Sequence, residues 1–290
     1  MRQWCSFVVW FLLWLTNADA QTRPTLHEKR LLASDLEVGG ELAGQPPESS
    51  RYLTRDDLLA MPQANFTVTG DTNFSGAVKI RGVKLEDLAQ RLAASPAADM
   101  VVAICDDKYR AHYTQAYLIA HHPVLVLQVN NEPPSGWPKA AEDHTSNMGP
   151  YMISHSKFTP VDRVLSHVEE AQIPWGVVRI EFREQKIVRG AIAPHASNAA
   201  DPDVQAGFRI AAQNCFRCHN AGDAGGTKAG RSWDALGALA ASSPESFAAY
   251  IRDPRAKNPH AQMPGNPQYD DATLSALTAY FRTFAPPTKP

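Results

Sequence analysis

The sequence predicts two folded parts in one chain, a strand-rich α+β domain followed by an all-α domain. Three observations carry this reading. Short β-like runs recur between Phe66 and Phe182; the segment Gly190–Pro202 holds Gly, Ala, Asn, Ser and two prolines without sustained periodicity; beyond it alanine becomes abundant and apolar residues return at helical spacing. The boundaries that follow are a leader over residues 1–20, an irregular lead-in over 21–50, the α+β domain over 51–190, a linker between independently folded units over 191–202, and the all-α domain over 203–286.

In chain order, compact folding is expected to begin at Arg51-Tyr52-Leu53. Thr54 is placed to cap a short helix with Asp57 in its first turn and Leu58 and Leu59 inside, ended by Met61-Pro62. Phe66–Gly70 alternates as a strand and stops at a turn; Val78–Val83 is a second strand leading into a helix from Lys84 to Leu92. Met100–Ile104 reads as a buried strand, paired with Tyr109–Tyr113 across the Asp106-Asp107-Lys108 turn. Pro123–Val129 is apolar and β-branched up to Asn130-Asn131, and Tyr151–Ser154 and Gly176–Phe182 supply two more strands. In the second part, Asp201 with Pro202 behind it starts a helix bearing Gly207, Phe208, Ile210 and Ala211. Ser243-Pro244 starts another, with Phe247, Tyr250 and Ile251 on one face, closed by Asp253-Pro254. Asp271 is placed to cap a last helix, whose Leu274, Leu277, Thr278 and Phe281 make one stripe.

The opening residues bear on compartment. Arg2, the apolar run Phe7–Leu15 and the small-x-small site Ala18-Asp19-Ala20 form a signal-peptide pattern, so the mature chain is expected to begin near Gln21 in the periplasm or another exported compartment. Cleavage removes Cys5 and leaves Cys105, Cys215 and Cys218; membrane contact is expected only if the leader stays uncleaved as an anchor. A net charge of -2 without a basic stripe argues against nucleic acid as a partner. Four cysteines in 290 residues are too few for a disulfide-built scaffold.

Cys215-Phe216-Arg217-Cys218-His219 is the most specific pattern in the chain. Two thiols at this spacing can add to the two vinyl groups of one haem while the adjacent histidine reaches the iron. A zinc site would need a second ligand pair, and no second CxxC exists. A thioredoxin-like dithiol should open a helix after a buried strand, whereas this motif follows a helical segment.

With these residues in view, 203–286 resembles the class I c-type cytochromes: an opening helix with Gly207, the CxxCH motif, a later Met-Pro and a closing helix. The resemblance implies one haem c, opening and closing helices that cross with Gly207 close to Tyr280-Phe281, and Met263 of Gln262-Met263-Pro264-Gly265 as the second axial ligand. A thioether there favours ferrous iron over what a second imidazole would give. His260, three residues away, and an open or remote ligand are the competing readings. The family's proline and leucine after the motif, whose carbonyl orients the histidine, are absent; Gly226-Thr227-Lys228-Ala229-Gly230-Arg231 stands there, and another carbonyl of this loop is expected to take that role.

The first domain resembles, less specifically, the molybdopterin-binding domain of sulfite-oxidase-like proteins. The likeness rests on 53–59, on Ile80-Arg81-Gly82-Val83-Lys84-Leu85, on Cys105-Asp106-Asp107-Lys108-Tyr109-Arg110, on Gly149-Pro150-Tyr151 and on the strand up to Glu181-Phe182. It implies an α+β fold of that type and makes Cys105 the one candidate molybdenum ligand. Asp106 and Asp107 oppose both a thiolate and an anionic cofactor there, and the family's Cys-Ala-Gly-Asn-Arg type of motif is missing, so Cys105 reads as a buried structural thiol. His121 and His122, placed on a strand, would point to opposite faces, and no spacing joins them to His144 or His155 as a metal site. Trp137 and Trp175 lie beside prolines and read as packing residues. The leading functional expectation is a non-catalytic electron carrier or redox subunit that meets redox proteins; the alternative is a self-contained molybdenum oxidoreductase passing electrons to its own haem.

Overall fold

The computed structural model of the chain describes residues 23–156 and 171–286; the expected leader, with Cys5, lies outside them. A strand-rich first part and a helical second part are both present, as the sequence predicts. The first part is one mixed sheet of nine strands. Its edge begins earlier than expected: Leu36–Gly40 (β1) lies in the supposed irregular lead-in, where Leu36 and Val38 bury completely. β1 pairs antiparallel with Arg51–Leu53 (β2) and parallel with the last strand of the sheet.

Thr54 then caps Arg55–Leu59 (α1) in a reciprocal capping box with Asp57. Ala64–Val68 (β3) and Val78–Lys84 (β4) form a hairpin-like pair, and Leu85–Arg91 (α2) follows directly. Met100–Cys105 (β5) and Arg110–Thr114 (β6) pair across the Asp106–Lys108 turn. Gln115–His121 (α3) was not foreseen. It corrects the strand placement of the two adjacent histidines: His121 ends this helix, and His122 terminates it in the left-handed region at φ 46°. Pro123–Val129 (β7) ends at Asn130 and Asn131, both with positive φ, a turn that asparagine tolerates. Tyr151–His155 (β8) and Trp175–Arg183 (β9) complete the sheet.

β5 ties the molecule together. Its residues alternate faces, as any strand's do. Val101, Ala103 and Cys105 enter the core of the first domain, whereas Met100 and Val102 enter a core shared with the second part. An apolar run with both faces covered is the pattern of a doubly buried strand. Val188 of Gln185–Gly190 (α4) and Ile192 join the same shared core. Each such buried side chain contributes about 1.5–3 kcal/mol, so the two parts are packed into each other. The segment 191–202 does connect them, but not as units folded apart.

The second part holds Pro202–Ile210 (α5), Trp233–Ser242 (α6), Pro244–Arg252 (α7), the short Pro254–Lys257 (α8) and Asp271–Arg282 (α9). Asp201 caps α5 through Asp203 N and Val204 N, with Pro202 in the first turn. The cap of α9 is Asp270, one residue before the expected Asp271, because Asp270 Oδ1 accepts from Thr273 N at 2.8 Å. Asp253 both closes α7 and caps α8.

Candidate functional site

The crossing of α5 and α9 sets the geometry. A Cβ on Gly207 would meet the Ala276 carbonyl oxygen at 2.1 Å and Tyr280 Cβ at 2.6 Å, so only glycine permits this approach. α5 then widens into a π-type turn over Ala211–Cys215, and the amides of Cys218 and His219 return to Cys215 O at 3.1 and 2.9 Å. One tight turn therefore carries both partly buried thiols and the imidazole. A second close approach holds the following loop: a Cβ on Gly226 would lie 1.8 Å from Arg217 O, while Gly226 N donates to Phe216 O and Ala229 N to Cys218 O, each at 2.9 Å.

The carbonyl that orients the histidine belongs to Arg231. His219 is 9% exposed, and its Nδ1 lies 2.7 Å from Arg231 O. Nδ1 must donate in that bond, which leaves Nε2 with a free lone pair. Ser232 caps α6 at the next residue, so a helix start fixes the carbonyl where the family's proline is missing. Burial holds the imidazole below its ordinary pKa and hence neutral. Burial also raises both thiols, Cys215 to about 12, while Lys228 and Arg217 partly offset the rise at Cys218.

Met263 is partly buried and packs against the shared core, whereas His260 is exposed. The loop after Met263 is pinned to the end of α7, where Asn266 Nδ2 donates to Ile251 O at 3.1 Å.

Residues 202–281 match the family described as cytochrome C oxidase, cbb3-type, subunit III. The C-terminal part of this chain is a cytochrome c domain. Such a domain implies haem c, and the turn just described fits it: two partly buried sulfurs and an imidazole with a free Nε2 on one turn, with the Met263 thioether packed on the same core. No curated protein matches the chain. Among solved structures, the crystal structure of the sulfane dehydrogenase SoxCD from Paracoccus pantotrophus is similar at a TM-score of 0.36 and 14% identity, over 53% of this chain and 40% of that one. The chain thus spans less than half the length of that structure.

The first domain grips the cytochrome domain at the haem-attachment motif itself. Arg110 N donates to Arg217 O at 2.9 Å and Arg110 Nη1 to Asp223 O at 3.1 Å. Thr227 N donates to Lys108 O at 3.2 Å, and Lys228 Nζ meets Asp107 Oδ2 at 2.5 Å. His112 stacks on Phe216 with ring centroids 4.8 Å apart. Asp107, Lys108, Arg110 and His112 were not singled out from the sequence as partners of the motif. The one signal for them was their position on the turn and strand after an apolar run longer than one sheet face requires.

Cys105 sits at the end of β5, 3% exposed, in the first domain's core and within electrostatic reach of Cys218. Burial, then Asp107 and Asp106, push its thiol well above the ordinary range. Its burial and core neighbours are those of a packing residue. His122 Nδ1 meets Glu86 and His144 is exposed, whereas His121 and His155 come together at Tyr117, whose ring lies 4.7 Å from that of His121 between centroids and whose Oη lies 2.9 Å from His155 Nε2. Among the described residues, no group of three or more His, Cys, Asp or Glu side chains is placed to hold a metal ion. Trp137 is buried and Trp175 packs against the same small core, both as packing residues.

Proposed function

We propose that this protein transfers single electrons through one covalently bound haem c. Bound haem supplies a ferrous–ferric couple. Cys215 and Cys218 would hold it by thioether bonds, with His219 Nε2 and Met263 Sδ as the axial ligands. The observation that carries this reading is the turn Cys215–His219, where the Nδ1–Arg231 O bond aims and frees the coordinating nitrogen. Two protein ligands leave no open position for small-molecule chemistry, so the cytochrome domain acts as a carrier.

The first domain, of sulfite-oxidase-like type by its motifs, acts here as a rigid support that covers one side of the motif and leaves redox proteins of an exported compartment to meet the haem elsewhere. A self-contained molybdenum oxidoreductase would require Cys105 as an accessible thiolate, which its burial and carboxylate neighbours oppose. Replacement Met263→Ala tests the ligand set: the sulfur-to-iron charge-transfer band of the ferric protein is expected to vanish and the reduction potential to fall. An unchanged band would refute Met263, and a wild-type protein that lacks the band but changes its haem spectrum in His260→Ala would reassign the ligand to His260.

A further inference from the structure

A groove of about 280 Å³ lies along the seam between the two domains. His112, Gln172 and Arg189 line it from the first domain, and Phe208, Arg209 and Gln213 from the cytochrome domain; among the described residues, no carboxylate lines it. Arg189 is half-buried, and its side chain makes no ion pair or hydrogen bond among the described residues. Burial alone lowers its pKa, without any carboxylate to offset the loss of water. A partly desolvated guanidinium without a counter-charge is a ready partner for an anion. Arg209 adds a second guanidinium at the exposed mouth.

The wall between them is polar and incompletely satisfied. His112 is 3% exposed, and its buried Nδ1 has no hydrogen-bond partner. Its backbone is fixed on both sides by Gln172, whose Oε1 accepts from His112 N at 2.7 Å and whose Nε2 donates to His112 O at 2.6 Å. Arg110, Arg189 and Arg217 all act on the ring as positive charges. The groove thus combines two guanidiniums and a positive local field over a neutral imidazole wall, with nothing anionic in its lining among the described residues.

From these residues we propose that the groove binds a small inorganic oxyanion of the sulfate or phosphate type, held by Arg189 and Arg209 with His112 in the wall. Arginine forks match the edges of such anions in a bidentate manner. The site joins the two domains, and through the His112–Phe216 stack it abuts the haem-attachment motif. It does not rest on the haem's ligand set.

The test is calorimetric titration of the haem-loaded full chain with sodium sulfate, and separately with phosphate, at ionic strength held constant with sodium chloride. One saturable site is expected, weakened at least tenfold by Arg189→Gln and several-fold by Arg209→Gln, with the haem spectrum unchanged in both. Arg209 is exposed, so its variant keeps the test decisive if Arg189→Gln fails to fold. Absence of saturable binding, or equal affinity in wild type and the Arg209→Gln variant, would overturn the site. Tighter binding of acetate than of sulfate or phosphate would overturn the ligand class.

Discussion

Cys105 and Cys218 lie close enough to sense each other's charge, yet the surroundings of Cys105 differ from those of the Cys215–Cys218 turn. Cys105 ends a strand and belongs to the same buried core as Val101, Ala103 and Val177. Cys215 and Cys218 flank a tight turn at a helix end, partly exposed, beside an imidazole held by a carbonyl. One of the three sulfurs thus completes the packing of a strand, and the other two share a turn in the spacing that the proposed haem attachment needs. Cofactor assignment by counting cysteines would have missed this difference.

The largest expected effect is the acid response of two buried histidines, His112 at the seam and His155 inside the first domain. His112 and His155 are each 3% exposed, and burial lowers the pKa of each from 6.5 to about 3. Below pH 6.5 the unfolded chain takes up protons that these folded imidazoles refuse, so stability falls as pH drops from about 6.5 towards 3. Urea unfolding between pH 7 and 4 is expected to show a loss of several kcal/mol, reduced in His112→Asn. A flat profile would mean that these rings are hydrated.

Smaller effects bear on the two kinds of sulfur directly. Cys105→Ala is expected to keep covalent haem and lose about 1–2 kcal/mol of stability from the emptied volume, as denaturant midpoints would report; loss of haem would place Cys105 in the redox site. Lys228→Ala removes only a half-exposed ion pair with Asp107, worth about 0–1 kcal/mol. Its melting temperature should shift little, and a large fall would mean that the seam depends on this pair.

Much of this was legible in the sequence. The turn Asp106–Lys108, the Thr54 cap, β7 with its Asn-Asn end and α5 with Asp201-Pro202 follow from local chemistry, which acts within a few residues. The CxxCH motif could be read because its function is itself a local spacing. Harder to see was β1, a short strand whose existence depends on pairing with β9 some 140 residues away in the chain. α3 was hidden because Thr114, the last residue of β6, is itself the cap of the helix, so no turn separates the two elements. The seam was least visible. Met100 and Val102 look like any strand residues, and only the second face of β5 shows that the domains share a core. Likewise Arg231 acts through its backbone carbonyl, a group every residue possesses, so no side-chain signal could mark it.

The most direct test of the account is the iron and molybdenum content of the full chain, produced with cytochrome maturation and molybdenum-cofactor synthesis both active. One iron and no molybdenum per chain is the expected result. Molybdenum in near-equal amount to iron would contradict it and make Cys105 the leading ligand of a second redox centre.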